Sequence, residues 1–154
     1  MTLLADVQAV HEDADLLVLQ KPAGLLCVPG RGPDKQDCLS ARAQQHWPGA
    51  LIVHRLDQAT SGLVLMARHM DAQRRLSHAF AERQVHKRYQ AVVWGLLAAQ
   101  EGAWNEINLP IAADWERRPL RVIDQTHGKP SLTRWRLLGH HHATGTSRIE
   151  LEPV

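Results

Sequence analysis

Cysteine is scarce in this chain. Cys27 and Cys38 are the only two, too few and too widely spaced for a disulfide framework or a zinc knuckle. Long apolar runs are missing as well: no stretch approaches the ~18 uninterrupted apolar residues of a membrane-spanning helix, although apolar residues make up 44% of the sequence, a normal share for a globular protein. A basic leader is lacking too, since Met1 to Asp15 carries Asp6, Glu12, Asp13 and Asp15, which argues against a secretory signal. There is no internal repeat, low-complexity tract or linker. The 154 residues fit one ordinary domain with a core of its own. These absences set the expectation of a reduced, cytoplasmic protein that does not associate with membranes, and a monomer is expected.

Excess charge is small. A net charge of +2 is only weak support for a nucleic-acid partner. Local clustering says more, because Arg74, Arg75, Arg83, Lys87 and Arg88 fall close together, and Arg117, Arg118 and Arg121 form a second group. Such groups are either solvated faces or phosphate contacts.

Periodicity gives the organisation. Leu16 to Leu19 reads as a strand closed by Lys21-Pro22-Ala23-Gly24. Leu25 to Val28 continues extended and stops at a Pro29 to Pro33 loop. Asp37 is placed to cap a helix running to about Trp47. Leu51 to Val53 and Leu63 to Met66 are strand candidates, and Ala72, Leu76, Ala79 and Phe80 form one face of an amphipathic helix. Further strands are expected over Tyr89 to Trp94, Trp104 to Leu109, Leu120 to Ile123, Ser131 to Leu138 and Ser147 to Leu151. Many strands with two helices predict an α+β fold, its sheet mixed and mainly antiparallel with a few flanking helices. The tryptophans, Trp115 apart, are expected mostly in the core.

The run His54-Arg55-Leu56-Asp57-Gln58-Ala59-Thr60-Ser61-Gly62-Leu63 is the most specific chemistry in the chain. It follows a strand and sets a carboxylate near an arginine and a Thr-Ser-Gly turn. A cation nearby keeps an aspartate ionised, ready to act as nucleophile, base or electrostatic stabiliser. The plainer reading is that Asp57 caps the following turn through backbone N–H groups or forms a surface pair with Arg55. His140-His141-His142 could be mistaken for a metal tract. Three consecutive side chains cannot converge on one ion from a regular strand or helix, so a solvated turn is expected and no metal is assigned.

His-Arg-Leu-Asp, two further positions and Thr-Ser-Gly-Leu resemble the signature of the RluA-type pseudouridine synthases. Lys21-Pro22-Ala23-Gly24-Leu25 is similar to the first motif of that family. Lys87-Arg88-Tyr89 is similar to its tyrosine motif, and Gly128-Lys129-Pro130 with Thr133, after Trp115 and Arg118-Pro119, to a further pattern. The elements keep the family's order across nearly the whole chain. The resemblance implies an RNA isomerase that flips out a uridine, detaches the base at N1 and rejoins it through C5. No cofactor is implied.

By position, the catalytic pair would be Asp57 and Tyr89, the phenol offering a stacking face and a movable proton. Arg55 would fill the gap left by the flipped base, a task for which a planar guanidinium is suited. His54, Thr60, Trp115 and Arg118 would contact RNA, with Trp115 among cations suited to single-stranded bases. Lys21 and Gly62 would support the site structurally. The Val28-Pro29-Gly30-Arg31 loop and the Trp115 to Pro119 segment look most like the dual-specificity branch, which acts on a tRNA anticodon stem–loop and a large-subunit rRNA loop.

One departure stands out. The family's third motif, Thr-Gly-Arg-Ser/Thr-His-Gln-Leu/Ile-Arg, has no counterpart before Val154, and its arginine is the expected partner of the catalytic aspartate. Residues 1 to 154 are therefore expected to be a partial catalytic domain, and the short lead-in leaves no room for a separate N-terminal RNA-binding domain. The alternative is a catalytically impaired RNA-binding fragment. A hydrolase using Asp57 with a histidine is the weakest reading, since no elbow-type nucleophile or paired metal-ligand spacing is present.

Overall fold

A computed structural model describes residues 7–154; the first six residues of the acidic lead-in, Asp6 among them, lie outside the described residues. The chain is α+β and divides into two compact units, one ending at Gln84 and the other spanning Val85–Val154. All strand ladders among the described residues are antiparallel. Among the described residues parallel pairing is confined to two isolated bridges, Leu26 with Cys38 and Glu101 with Leu137. No helix among the described residues is long and apolar enough to cross a membrane.

The first unit contains β1 (Gln8–Glu12), β2 (Leu16–Lys21), a short 3-10 turn (Pro33–Lys35), α1 (Leu39–His46), β3 (Leu51–Ile52), β4 (Gly62–Ala67) and α2 (Met70–Ala81). Its strands lie in the order β1-β2-β4-β3. Alternation along β2 buries Leu17, Leu19 and Lys21 on one face. Register sets Leu17 against Met66 and Leu19 against Val64, both buried, and Lys21 against Gly62. A lysine thus occupies the last core position of the strand.

The expected start of the first helix is corrected. The first helix begins one residue later than a cap at Asp37 requires, with the buried Cys38 in the cap position and no side-chain cap. Backbone supplies the missing acceptors: Leu39 N–H donates to Leu26 O at 2.7 Å and Ser40 N–H to Cys27 O at 3.0 Å. Asp37 instead takes a two-point pair from Arg42. The bridge between Leu26 and Cys38 is also all that remains of the extended Leu25 to Val28 segment. The second helix is capped by His69, whose Nδ1 accepts Ala72 N–H while Nε2 meets Asp15. Of the expected apolar face only Ala72 is fully buried.

Asp13 closes the β1–β2 turn. Bonds from His11, then from the backbone N–H groups of Leu16 and Asp15, hold its carboxyl at about 2. The lowered value makes this stabilisation complete above the ordinary carboxylate range and lost as pH falls through about 2. An NMR titration of the Asp13 side chain is expected to show a midpoint near 2, whereas a midpoint near 3.8 would mean the turn is not held this way.

The second unit contains β5 (Tyr89–Trp94), β6 (Trp104–Asn108), β7 (Ile111–Ala113), β8 (Arg121–Ile123), β9 (Leu132–His141) and β10 (Thr146–Pro153). Four strands pair in the order β5-β10-β9-β6, and β7 with β8 forms a separate ribbon. Leu137, Ser147 and Ile149 are buried. The expectation that the tryptophans fill the core fails: none is buried, and Trp94 is 85% exposed. Strand alternation is the reason, since Gln90, Val92 and Trp94 share the outward face of β5. The histidine triplet is not wholly a turn either. His140 and His141 finish β9, and only His142 enters the turn.

Candidate active site

The signature run lies in the first unit, in irregular backbone between β3 and β4. Burial along it alternates: His54 is half-buried, Arg55 exposed, Leu56 buried and Asp57 exposed. Leu56 is the anchor between the two outward charges. Its side chain is 8% exposed and its N–H donates to Cys27 Sγ at 3.2 Å. His54 adds a second anchor, accepting Leu65 N–H at Nε2 (2.9 Å) and stacking on Phe80 with ring centroids 4.3 Å apart.

The far side of Asp57 is held by Lys21. Its buried ammonium donates to three carbonyls, those of Pro22 (3.0 Å), Leu25 (2.6 Å) and Gln58 (3.1 Å). Gln58 is further tied to Gly24, whose N–H donates to Gln58 O while Gln58 Nε2 donates to Gly24 O. The Lys-Pro-Ala-Gly turn and the aspartate loop are therefore one hydrogen-bonded piece. Gly62 closes it at φ +135°, a conformation side chains rarely adopt.

Asp57 itself has no structural task. The turn after it is closed by Thr60 N–H on the Asp57 carbonyl, 3.1 Å, not on the carboxylate. Among the described residues the carboxylate takes part in no hydrogen bond or ion pair, with Arg55 or any other group. Both plain readings of the residue, turn cap and surface pair, are thus set aside. The arrangement offers an exposed carboxylate on a loop fixed at Leu56 and Gln58, with Arg55 also exposed and Thr60 half-buried.

Tyr89, Trp115 and Arg118 belong to the second unit. Tyr89 opens β5 opposite Leu151 and is half-buried. Burial pushes its phenol up from the usual value, because desolvation disfavours the phenolate. Trp115 is 73% exposed and carries the Arg118 guanidinium 3.6 Å from its ring centroid. Neighbouring Arg117 pairs instead with Asp114 at 2.8 Å. Among the described residues no group of three His, Cys, Asp or Glu side chains could hold a metal ion.

Two contributors escape sequence reasoning, Cys27 and Gln58. Gln58 stands at a position where the signature allows variation, and a thiol accepting a backbone N–H has no sequence mark. Cys27→Ala is expected to lower stability by about 1–2 kcal/mol, from a lost bond and a small void. Thermal or urea unfolding would check this, and no measurable change would mean that the sulfur does not hold Leu56.

The sequence profile of a family described as RNA pseudouridylate synthase matches residues 15–154. The dual-specificity RNA pseudouridine synthase RluA of Haemophilus ducreyi is 38% identical over 148 residues, 96% of this chain and 66% of that protein. Its counterpart in Pasteurella multocida is 41% identical over 145 residues, 94% of this chain and 64% of the relative. The chain thus spans just under two thirds of the length of these curated relatives. The solved structure of human RNA pseudouridylate synthase domain containing 1 superposes with a TM-score of 0.76 at 26% identity, covering 96% of this chain and 59% of the human one.

Proposed function

This chain belongs to the RNA pseudouridylate synthase family, and on that premise we propose that it isomerises a uridine in structured RNA to pseudouridine, with Asp57 as the catalytic carboxylate. The observation that carries the proposal is the exposed Asp57 side chain, without a structural partner on a loop fixed at both sides. The reaction breaks the N1–C1′ bond, forms a C5–C1′ bond, releases the C5 proton and returns a proton to N1. No net oxidation or hydrolysis occurs. A carboxylate can serve by attacking or by taking a proton, and Asp57 suits either role because nothing else competes for its oxygens.

The other residues are assigned in keeping with their chemistry. Tyr89, whose phenol burial pushes up, would stack on the uracil and move a proton. Arg55 would occupy the gap in the RNA stack, with His54 and Thr60 lining the loop, and Trp115 with its stacked Arg118 would take an unpaired base. We assign the dual specificity printed for the relatives to this protein as well, with a tRNA anticodon stem–loop and a large-subunit rRNA loop as substrates. RNA binding, a cytoplasmic location and a monomeric state belong to the same proposal.

A second reading, an RNA-binding module without catalysis, is favoured by one observation: among the described residues no cation is paired with Asp57. The two separate cleanly. Pseudouridine formation expels the C5 hydrogen, so RNA carrying tritium at uridine C5 should release label on incubation with the protein. Release supports the isomerase; tight RNA binding with no release supports the module.

A further inference from the structure

The end of the β9–β10 hairpin holds a cavity that the family motifs do not use. Its volume is about 470 Å3, and its lining includes Val92, Gly139, His141, Thr144, Thr146 and Arg148. Sheet register accounts for the opening. Arg148 on β10 stands between Val92 on β5 and Gly139 on β9. Gly139 has no side chain, and a Cβ built there would meet nothing within 4 Å, so the position opposite Arg148 on β9 is open. The register also shifts between Arg148 and Ile149, and bulges of this kind re-aim a side chain.

One step along, Thr146 lies between Trp94 and His141. Residues two apart on a strand share a face, which makes Trp94 the diagonal neighbour of Arg148, within reach of a long side chain. The polar groups are already arranged. Thr144 Oγ1 is 2.7 Å from His141 Nδ1 and 2.8 Å from Thr146 Oγ1. Arg88, Arg134 and Arg136 all pair with Glu150 or Glu152, whereas Arg148 forms no ion pair among the described residues. Its guanidinium stays unpaired on the face that also carries Trp94, a diagonal register neighbour that is 85% exposed.

We propose that this face is a second RNA contact, taking one nucleotide of an unpaired strand. Arg148 presents its donor fork to the phosphate, the threonine hydroxyls and His141 complete that end, and Trp94 supplies the plate on which the base stacks. The inference rests on the RNA-modifying reading above. A phosphopeptide would use the cation and the hydroxyls and leave the ring idle.

Fluorescence anisotropy with a labelled single-stranded RNA, measured over a range of salt, tests it on the whole chain. Arg148→Ala is expected to weaken binding and to reduce the salt slope by about 0.7, the value for one lost phosphate contact on a single strand. Trp94→Ala should weaken binding about 10-fold with the slope kept, because stacking is insensitive to salt. Arg148→Lys, which preserves charge and stem, should keep the slope and bind less well than the parent. If the parent binds RNA and neither alanine variant differs from it, the inference fails while the enzyme reading stands. Loss confined to Arg148→Ala would leave a phosphate-only site and overturn the nucleotide assignment. A parent chain that binds no RNA would bring down the RNA reading itself.

Discussion

Asp57→Asn is expected to abolish tritium release from 5-tritiated uridine RNA, with a loss of at least about 10²–10⁴-fold, the usual contribution of one positioned proton-transfer group. The amide is nearly isosteric but is neither a base nor a useful nucleophile. Stability should move by less than about 0.5 kcal/mol, as for surface positions without structural partners. That expectation follows from the geometry: the Thr60 N–H bond falls on the Asp57 carbonyl, which the substitution leaves alone. Thermal unfolding and the release assay measured on the same sample make the two halves separable. Full activity in the Asn variant would sink Asp57 as the catalytic group. Lost activity together with a large fall in Tm would mean that the carboxylate has a structural duty after all.

That loop was legible in sequence because its apolar neighbours obey strand periodicity. The alternation in β2, the apolar run of β4 and the Tyr89–Trp94 segment all correspond to observed strands. What escaped was decided by groups with no local signal. β1 shows mostly exposed positions, so no apolar face announces it. The short β7, Ile111–Ala113, is held by its pairing with β8 and by a bridge from Ile111 to Lys129. Cys38 took the cap position because carbonyls of Leu26 and Cys27, distant in local structure, satisfy the helix N–H groups. Trp94 looked like core because tryptophan is large and apolar, yet its place in the pleat set it outward. The site divides in the same manner. Asp57 and Lys21 could be named from motifs, but that the Lys21 ammonium holds the aspartate loop through the Gln58 carbonyl could not.

The second large effect is expected at Lys21. An ammonium has three protons, and here each is directed at a carbonyl: Pro22, Leu25 and Gln58. The side chain is fully buried, and no carboxylate pairs with it among the described residues. Three partial negative charges stand in place of one full one. Lys21→Met keeps the length and the apolar stem and removes every donor. The Pro22 and Leu25 carbonyls lose their donor, at about 1–3 kcal/mol each, the Gln58 carbonyl keeps the Gly24 N–H, and removing the cation relieves a desolvation penalty of several kcal/mol. The opposing terms leave a net loss of about 3 kcal/mol or less, which for a chain of this size lowers Tm by at most roughly 6–12 °C. Lys21→Arg should not rescue, because a planar fork cannot meet three carbonyls that converge on one point. The functional consequence is distinct from the stability loss. Gln58 follows Asp57 directly, so losing the Lys21 bond to its carbonyl removes one of the ties on that side of the loop while the Gly24 bonds stay. A displacement of the proposed catalytic carboxylate by about 1 Å can cost ~10²-fold in rate. Measured well below the variant's Tm, kcat for Lys21→Met should therefore fall far more than KM changes. A variant that unfolds at a lower temperature yet turns over at the parental rate would show that Lys21 stabilises the first unit without positioning Asp57.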